Sequence, residues 1–323
     1  MSRERAIPVI DFAGVRTGDK AALSRVAEGV YSACTDYGFF YLANHGIAQD
    51  RIGGALRAAA DFFALPKEEK CRANAVNHRG YVGIGDAKMQ GATRADYKES
   101  FVVGLELPAD DPTVLAGEKL RGPNRWPANP AFREAIYKYF EAVGDCGRHL
   151  LRAAALSLKQ DPAFFESKYK KPLQRLNIIH YPPHPVDAAE DQFGGAAHTD
   201  YGCITLLWQD QNGGLEVKDR TTGDWIAATP IPGTLVINVG DLLERWSNKR
   251  FMSMPHRVVN RSGRERYSMA TFFDPDFNAL ADPREFGIAA GEALFEPITA
   301  GAHILGRVQG SFAYRPPQPA VQN

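Results

Sequence analysis

A histidine and an aspartate stand one residue apart in the run HTDYG, which contains His198 and Asp200. Side chains two apart on a strand project to one face, so this spacing lets an imidazole and a carboxylate converge. A third ligand is expected from a distant strand, where His256 opens the segment HRVVN directly after the bend-forming SMP. Two histidines and one carboxylate on a single face of an octahedral metal leave three positions open, which suits a non-haem iron(II) oxygenase.

A second polar pair, Arg266 and Ser268, is also spaced two apart on a predicted strand. This strand follows His256 through the short connection NRSGRE, and a hairpin centred near Ser262 would place His256 opposite Ser268. That register turns all three side chains inward, unless a slip or a bulge intervenes. A buried, unpaired arginine is costly, so an inward Arg266 requires a carboxylate, either on a ligand or in an internal salt bridge.

The elements that would position these residues follow from hydrophobic periodicity. In the first third of the chain, short strands at 7–12 and 38–46 alternate with helices at 20–36 and 50–63. The segment 79–128 is rich in glycine, proline and charge, which predicts irregular structure near a functional surface.

The rest of the chain predicts one helix followed by many strands. Residues 130–158 carry apolar positions at helical spacing and predict a helix that braces a sheet, with an interruption near Gly144 or Gly147 left open. From 173 to 273, short strands separated by turn signals such as QNGG and TTGD predict an antiparallel barrel or jelly roll. The run FGGAA before His198 is interpreted as a loop.

We therefore expect a fold that is mainly β with flanking helices, in which a double-stranded β-helix, or jelly-roll, core is joined to an α/β N-terminal region. The expected divisions are an N-terminal α/β region at 1–128, a supporting helical segment at 129–172, the jelly-roll core at 173–275, and a C-terminal helical or lid segment with a tail at 276–323.

Composition limits the possible partners. The 323 residues include 38 basic and 38 acidic side chains, which argues against a nucleic-acid or membrane-surface protein and favours a small-molecule substrate. The four cysteines form no CxxC pair, and the N-terminus lacks an apolar signal core. We expect a cytoplasmic protein without a membrane span, as a monomer or weak homo-oligomer.

With these motifs in order, the chain resembles the isopenicillin N synthase-like family of Fe(II)- and 2-oxoglutarate-dependent oxygenases. The resemblance covers nearly the whole chain, and the order of the motifs is specific although each one alone is not. The motifs are IPVIDF, YGFFYLANHGI, RGYVGIG, DYKESF, LNIIHYPP, HTDYGCITLLWQD, GGLEV, NVGDLLERWSN, MPHRVVN and RYSMATFF.

The resemblance implies that His198, Asp200 and His256 bind iron and act in catalysis. It implies Fe(II), 2-oxoglutarate as cosubstrate and dioxygen, with oxidation of a small molecule, hydroxylation as the default outcome, and release of succinate and carbon dioxide. The presence of Asp200 argues against a halogenating relative, in which that position is left open for halide.

The resemblance also implies the cosubstrate contacts. Arg266 and Ser268 would bind the distal carboxylate of 2-oxoglutarate, and Tyr181, before the double proline, would add a further contact. Many plant relatives have an asparagine two residues before that tyrosine, where this chain has Ile179, so the asparagine contact is not expected here. The resemblance implies that Tyr97 to Phe101 and the region near Arg307 close over the site, and that residues 1–128 are an N-terminal region of non-haem dioxygenase type.

Three other functions remain compatible with the residues. An iron oxidase on the same scaffold would not use 2-oxoglutarate, and a zinc hydrolase could use the same three ligands to activate water. A jelly-roll binding protein would show no turnover. His180, His184 and Asp241 are interpreted as structural residues rather than ligands.

Overall fold

The computed structural model describes residues 6–86, 93–184 and 192–311, so the last residues of the predicted tail lie outside the described part. Seven α-helices lie in these ranges, and none of them is both long and apolar enough to span a bilayer. They are α1 (Lys20–Asp36), α2 (Gln49–Phe63), α3 (Lys67–Cys71), α4 (Pro112–Leu115), α5 (Pro130–Ser157), α6 (Asp241–Trp246) and α7 (Ala300–Ser311).

Fourteen strands occupy the same ranges, in an order close to that predicted from the sequence. They are β1 (Val9–Asp11), β2 (Phe39–Ala43), β3 (Gly80–Val82), β4 (Glu99–Gly104), β5 (Arg175–Tyr181), β6 (Gly195–His198), β7 (Ile204–Gln209), β8 (Leu215–Lys218), β9 (Trp225–Ala227), β10 (Thr234–Val239), β11 (His256–Val258), β12 (Arg266–Phe273), β13 (Leu280–Ala281) and β14 (Ile298–Thr299).

Two sheets form the core. The larger has eight strands in the order β1-β2-β10-β7-β12-β5-β4-β3, and the smaller has four in the order β6-β11-β8-β9. All pairings within them are antiparallel except that of β1 with β2. This is the predicted jelly-roll core, and β1 to β4 of the N-terminal region extend its larger sheet.

Side-chain alternation gives the larger sheet two distinct faces. On β5, Leu176 and Ile178 belong to the large apolar cluster that the helices cover, whereas Ile179 and Tyr181 pack with residues of the smaller sheet. We call the face that turns toward the smaller sheet the inner face. Polar side chains on the inner face are therefore enclosed between two sheets.

Helix α5 supports the other face without the interruption that the sequence left open. Asn129 caps it by accepting from the amide of Ala131 at 3.0 Å, and Pro130 occupies its first turn. Gly144 and Gly147 instead permit close packing. A Cβ at Gly147 would lie only 2.8 Å from the ring of Phe273 on β12.

Three local predictions are wrong. The segment 79–128 is not irregular throughout, since it supplies β3 and β4, which pair with each other and with β5. The run FGGAA is not only a loop, because Gly195–His198 is strand β6. The strand bearing His256 and the strand bearing Arg266 do not form a hairpin: β11 pairs with β6 and β8, and β12 pairs with β5 and β7. Loops of few residues can join two sheets as well as two neighbouring strands.

We expect Gly147→Ala to lower the free energy of unfolding, because the added methyl group overpacks the contact between α5 and β12, typically by about 1–3 kcal/mol. Gly54→Ala on α2 is the matched control, since a Cβ there meets no atom within 4 Å. The control should leave stability unchanged or raise it by up to about 1 kcal/mol through helix propensity. Chemical denaturation measures both, and equal losses would contradict the packing explanation.

Candidate active site

The two expected histidine ligands lie directly opposite each other in the smaller sheet. His198 ends β6, His256 begins β11, and the two residues are register partners. Their ring centroids are 4.4 Å apart. The register shifts between His256 and Val258, an irregularity of the kind that re-aims a side chain at a functional site. The smaller sheet alone thus brings together two residues that are far apart in sequence.

Asp200 reaches the same point by a different route from the one its spacing suggested. It lies beyond the end of β6, so strand alternation does not place it. Its backbone carbonyl accepts from the amide of Asp241 at 2.7 Å, and that of Gly202 accepts from Leu242 at 3.0 Å. The first turn of α6 therefore holds the loop that carries Asp200.

The hydrogen bonds of the histidines define which nitrogen is free. The Nδ1 of His198 lies 2.7 Å from the carbonyl of Ala196, and the Nδ1 of His256 lies 3.2 Å from that of Met254. Because a carbonyl can only accept, each Nδ1 carries the proton and donates it. Each Nε2 is then left with its lone pair. This is the arrangement that orients histidines as metal ligands.

The two oxygens of the Asp200 carboxylate have different contacts. Its Oδ2 accepts from Thr205 Oγ1 at 2.5 Å and from Asn238 Nδ2 at 2.7 Å. Its Oδ1 lies 3.7 Å from the Nε2 of both His198 and His256. The ligating atoms of the three residues all lie within 4.8 Å of one another. Three lone pairs thus face a common point.

Burial sets the protonation states of this group. It lowers the pKa of His198 to about 4, and the neighbouring His256 contributes to the same shift. Burial acts to raise the pKa of Asp200, but the two histidines and the bonds from Asn238 and Thr205 outweigh it, so the pKa is lowered. A neutral His198 beside an ionised Asp200 is the form that binds a divalent cation.

Arg266 and Ser268 lie on the inner face of β12, each only 1% exposed, but they reach it through the larger sheet rather than the predicted hairpin. Arg266 stands opposite Tyr181, and its guanidinium lies 4.7 Å from the centroid of that ring. Its Nε donates to the carbonyl of Gly213 at 2.6 Å, and its Nη2 donates to Gln209 Oε1 at 3.1 Å.

The Nη1 of Arg266 is buried and has no hydrogen-bond partner among the described residues. No described acid forms an ion pair with Arg266, so the internal salt bridge considered from the sequence is not formed. The Ser268 hydroxyl likewise makes no hydrogen bond within the described ranges, and Ile179, its register partner, offers it none. This end of the inner face therefore has an unused donor and a hydroxyl, as a bound carboxylate would require.

The residues discounted from the sequence lie outside the ligand cluster. His180 faces Glu99 at 2.9 Å, and His184 contacts the carbonyl of Gln192 at 2.8 Å. Asp241 begins α6 and pairs with Arg307 of α7 at 2.7 Å. Arg307 also donates to Thr199 Oγ1 at 3.2 Å, which places α7 against the loop between the two first ligands.

Thr205, Asn238 and Gln209 are functional neighbours that sequence reasoning missed. Thr205 and Asn238 orient the carboxylate of Asp200, and Gln209 orients Arg266. Their only sequence signal is a polar side chain inside an otherwise apolar strand, CITLLWQ for two of them and TLVINV for the third. Strand alternation predicts which face of the sheet such a residue occupies, but it does not predict which side chain the residue contacts.

The geometry defines a metal-binding jelly roll, and comparison with known proteins gives its family. Residues 7–129 match the N-terminal model described as non-haem dioxygenase in morphine synthesis, and residues 171–275 match the 2OG-Fe(II) oxygenase superfamily. The chain belongs to the isopenicillin N synthase-like family of these oxygenases. It is a dioxygenase that uses Fe(II), 2-oxoglutarate and dioxygen, which decides against the hydrolase, the binding protein and the oxidase without 2-oxoglutarate.

Similar proteins come from fungi and plants. The 2-oxoglutarate-Fe(II) type oxidoreductase hxnY of Emericella nidulans is 36% identical, over 95% of this chain and 90% of its own length. Homoarginine-6-hydroxylase of Arabidopsis thaliana is 33% identical, over 96% and 98% of the two chains. A full-length Neurospora crassa protein, solved as a crystal structure in complex with alpha-KG, has a TM-score of 0.84 and 31% identity, covering 96% of this chain and 97% of that one.

We expect Thr205→Val to weaken divalent-metal affinity by about 10–100-fold, because Asp200 loses a donor that fixes which oxygen is free. Thr271→Val is the matched control. Thr271 is also a buried strand threonine, but its hydroxyl has no partner among the described residues. Anaerobic Fe(II) titration measures both variants, and equal affinities for Thr205→Val and the wild type would contradict the role of this bond.

Proposed function

We propose that His198 Nε2, His256 Nε2 and Asp200 Oδ1 hold the iron, and that the enzyme hydroxylates a small organic molecule. The observation that supports the proposal is that the two polar atoms of each ligand side chain have different contacts. In all three side chains one polar atom is occupied by a protein hydrogen bond, and the other is turned toward the common point. Such prior orientation favours binding of one metal geometry.

We further propose that Arg266, Ser268 and Tyr181 bind the distal carboxylate of 2-oxoglutarate. The unpartnered Nη1 of Arg266 supports this, because a carboxylate would satisfy it and neutralise a buried charge at once. Packing of the guanidinium on Tyr181 fixes its plane. Gln209 and the carbonyl of Gly213 then hold Arg266 so that its remaining donor faces the cosubstrate.

Iron with bound 2-oxoglutarate supplies the oxidising power for attack on a C–H bond, with succinate and carbon dioxide released. The protein contributes position and exclusion of water. Apolar side chains from both sheets, including Leu215 and Val217 of the smaller sheet and Val236 of the larger one, pack in one cluster between the sheets. They keep the dielectric around the site low, so its hydrogen bonds and charges act strongly.

The substrate differs among the related proteins, so family membership does not give it. One structure of the Neurospora crassa protein contains thymine, and the Arabidopsis thaliana relative is named for homoarginine. We propose hydroxylation as the reaction, because that relative, which aligns over nearly its whole length, is named a hydroxylase. The free cysteines, three of them buried, support a reducing cytosolic location.

We expect His198→Ala and His256→Ala to abolish 2-oxoglutarate-dependent succinate formation, because each removes an iron ligand. The measurement is succinate released by anaerobically reconstituted enzyme after oxygen is admitted, together with bound iron per chain. Full turnover by either variant, or by a metal-free preparation, would refute the ligand assignment.

We expect Arg266→Ala to raise the KM for 2-oxoglutarate by roughly 30-fold or more, since loss of one partner from a buried charge pair costs about 2–5 kcal/mol. Arg264→Ala is the control, because Arg264 is an exposed arginine just outside the same strand. Oxygen uptake with varied 2-oxoglutarate gives both constants. An unchanged KM in Arg266→Ala would remove Arg266 from the cosubstrate site.

A further inference from the structure

A second group of arginines lies at the opposite end of the inner face from Arg266. On β12, Arg266 is the register partner of Tyr181, and Phe272 is the partner of Arg175. Arg175 and Tyr181 have the same parity on β5, so both side chains lie on the inner face, about 20 Å apart along the strand. The proposed function uses the iron-binding cluster and the Arg266 end of this face, but it assigns no role to the Arg175 end.

Arg175 forms no ion pair in the described structure. Its Nε is buried without a hydrogen-bond partner, and its guanidinium lies 5.3 Å from the ring centroid of Phe272. Burial lowers the pKa of Arg175, against the opposing charges of Asp274 and Asp200. Neither acid forms an ion pair with it among the described residues. Phe272 is also the register partner of Thr205, whose hydroxyl donates to Asp200, so Arg175 lies two strands away from a residue that contacts Asp200.

Arg79 brings a second guanidinium to the same place. Gly104 on β4 is the register partner of Arg175, and a Cβ at Gly104 would collide with the guanidinium of Arg79. Arg79 is 3% exposed and donates to the carbonyl of Leu120 at 2.8 Å, while its Nε has no partner among the described residues. The absent side chain at position 104 therefore creates the room in which Arg79 lies beside Arg175.

Neither nearby acid forms an ion pair with Arg79 or Arg175 among the described residues, although the Oδ2 of Asp274 is buried without a hydrogen-bond partner. Glu106 accepts from Trp126 at 2.7 Å and from the amide of Asn124 at 2.8 Å. Asp274 accepts from the amide of Cys203 at 2.7 Å. A buried guanidinium on Arg79 beside the partly buried one of Arg175, without an ion-paired acid in the described ranges, destabilises the free protein. Their cost is offset when an anion binds both, and planar guanidinium donors match a carboxylate best.

We propose that Arg79 and Arg175 form the recognition site for a carboxylate of the primary substrate, so that the enzyme acts on an organic acid. The inference rests on the proposed function, because it assigns the iron and 2-oxoglutarate sites to the other residues of the inner face. The substrate is then held at its acidic end, and the carbon to be oxidised lies toward His198, Asp200 and His256. Asn177, one inner-face position along β5, adds an amide whose Oδ1 is unpartnered among the described residues.

The test uses the full-length enzyme loaded anaerobically with Fe(II) and saturating 2-oxoglutarate. The probes are benzoate, phenylacetate, indole-3-acetate and 4-phenylbutyrate, each compared with its primary amide at millimolar concentration. We expect at least one carboxylate to raise Tm by roughly 2 °C or more while its amide does not. Arg175→Gln and Arg79→Gln should lose that shift, and Arg175→Lys should keep only part of it because it cannot donate as a fork.

Arg121→Gln is the matched control. Arg121 is a buried arginine of the same region that has an acid partner, with its Nε 3.5 Å from Glu118, and it donates to the carbonyl of Lys171 at 2.5 Å. This variant should lower the Tm of the ligand-free enzyme and retain the preference for carboxylates. Arg175→Gln should not lower the ligand-free Tm, since it removes one of two uncompensated charges.

The proposal fails if the wild type binds none of the carboxylates, or binds the amides equally well. It also fails if Arg175→Gln lowers the ligand-free Tm as much as Arg121→Gln does, because that result would make Arg175 a structural residue. Affinity for 2-oxoglutarate, measured separately, should be unchanged in the Arg79 and Arg175 variants. A wild type that does not bind 2-oxoglutarate would instead contradict the proposed function.

Discussion

The structure depends on the carboxylate of Asp200, of which only one oxygen accepts hydrogen bonds from the described residues. Asp200 accepts two hydrogen bonds on Oδ2 and none from the described residues on Oδ1, which faces the Nε2 atoms of His198 and His256. A buried carboxylate oxygen without a donor is unfavourable. Three parts of the fold position this carboxylate. Helix α6 holds the loop that carries Asp200, and the larger sheet supplies Thr205 and Asn238. The smaller sheet supplies the two histidines. The divalent cation that we propose at this point would satisfy the free oxygen, and the fold and the chemistry would then depend on the same contact.

Charged side chains that form no ion pair with a described residue occur elsewhere on the inner face. Arg266 and Arg79 are buried, Arg175 is partly buried, and none of the three has an ion pair in the described ranges, whereas some other buried charges do. Lys70, for example, is paired with Glu99 at 2.7 Å. A buried polar group that the protein leaves without a partner can bind a ligand, whereas one that is satisfied internally cannot. In our account the cosubstrate and the substrate approach the iron from opposite ends of one enclosed face.

Much of the fold follows from local sequence. The strands from 173 to 273 and the helices at 20–36 and 130–157 were predictable because apolar periodicity and turn residues report burial directly. The inward positions of Arg266 and Ser268 were also predictable, but the hairpin used to explain them was wrong. Periodicity gives each strand two faces and does not say which strands pair. The motif order identified the family although neither the pairing nor Thr205 and Asn238 could be derived, because those contacts join residues distant in sequence.

The most direct test of this account is an anaerobic crystal structure with Fe(II) and 2-oxoglutarate bound. The account predicts a metal held by His198 Nε2, His256 Nε2 and Asp200 Oδ1, with Thr205 and Asn238 still on Oδ2. It also predicts the distal carboxylate of 2-oxoglutarate on Arg266. A metal on other atoms, or a cosubstrate carboxylate on Arg79 and Arg175, would contradict it.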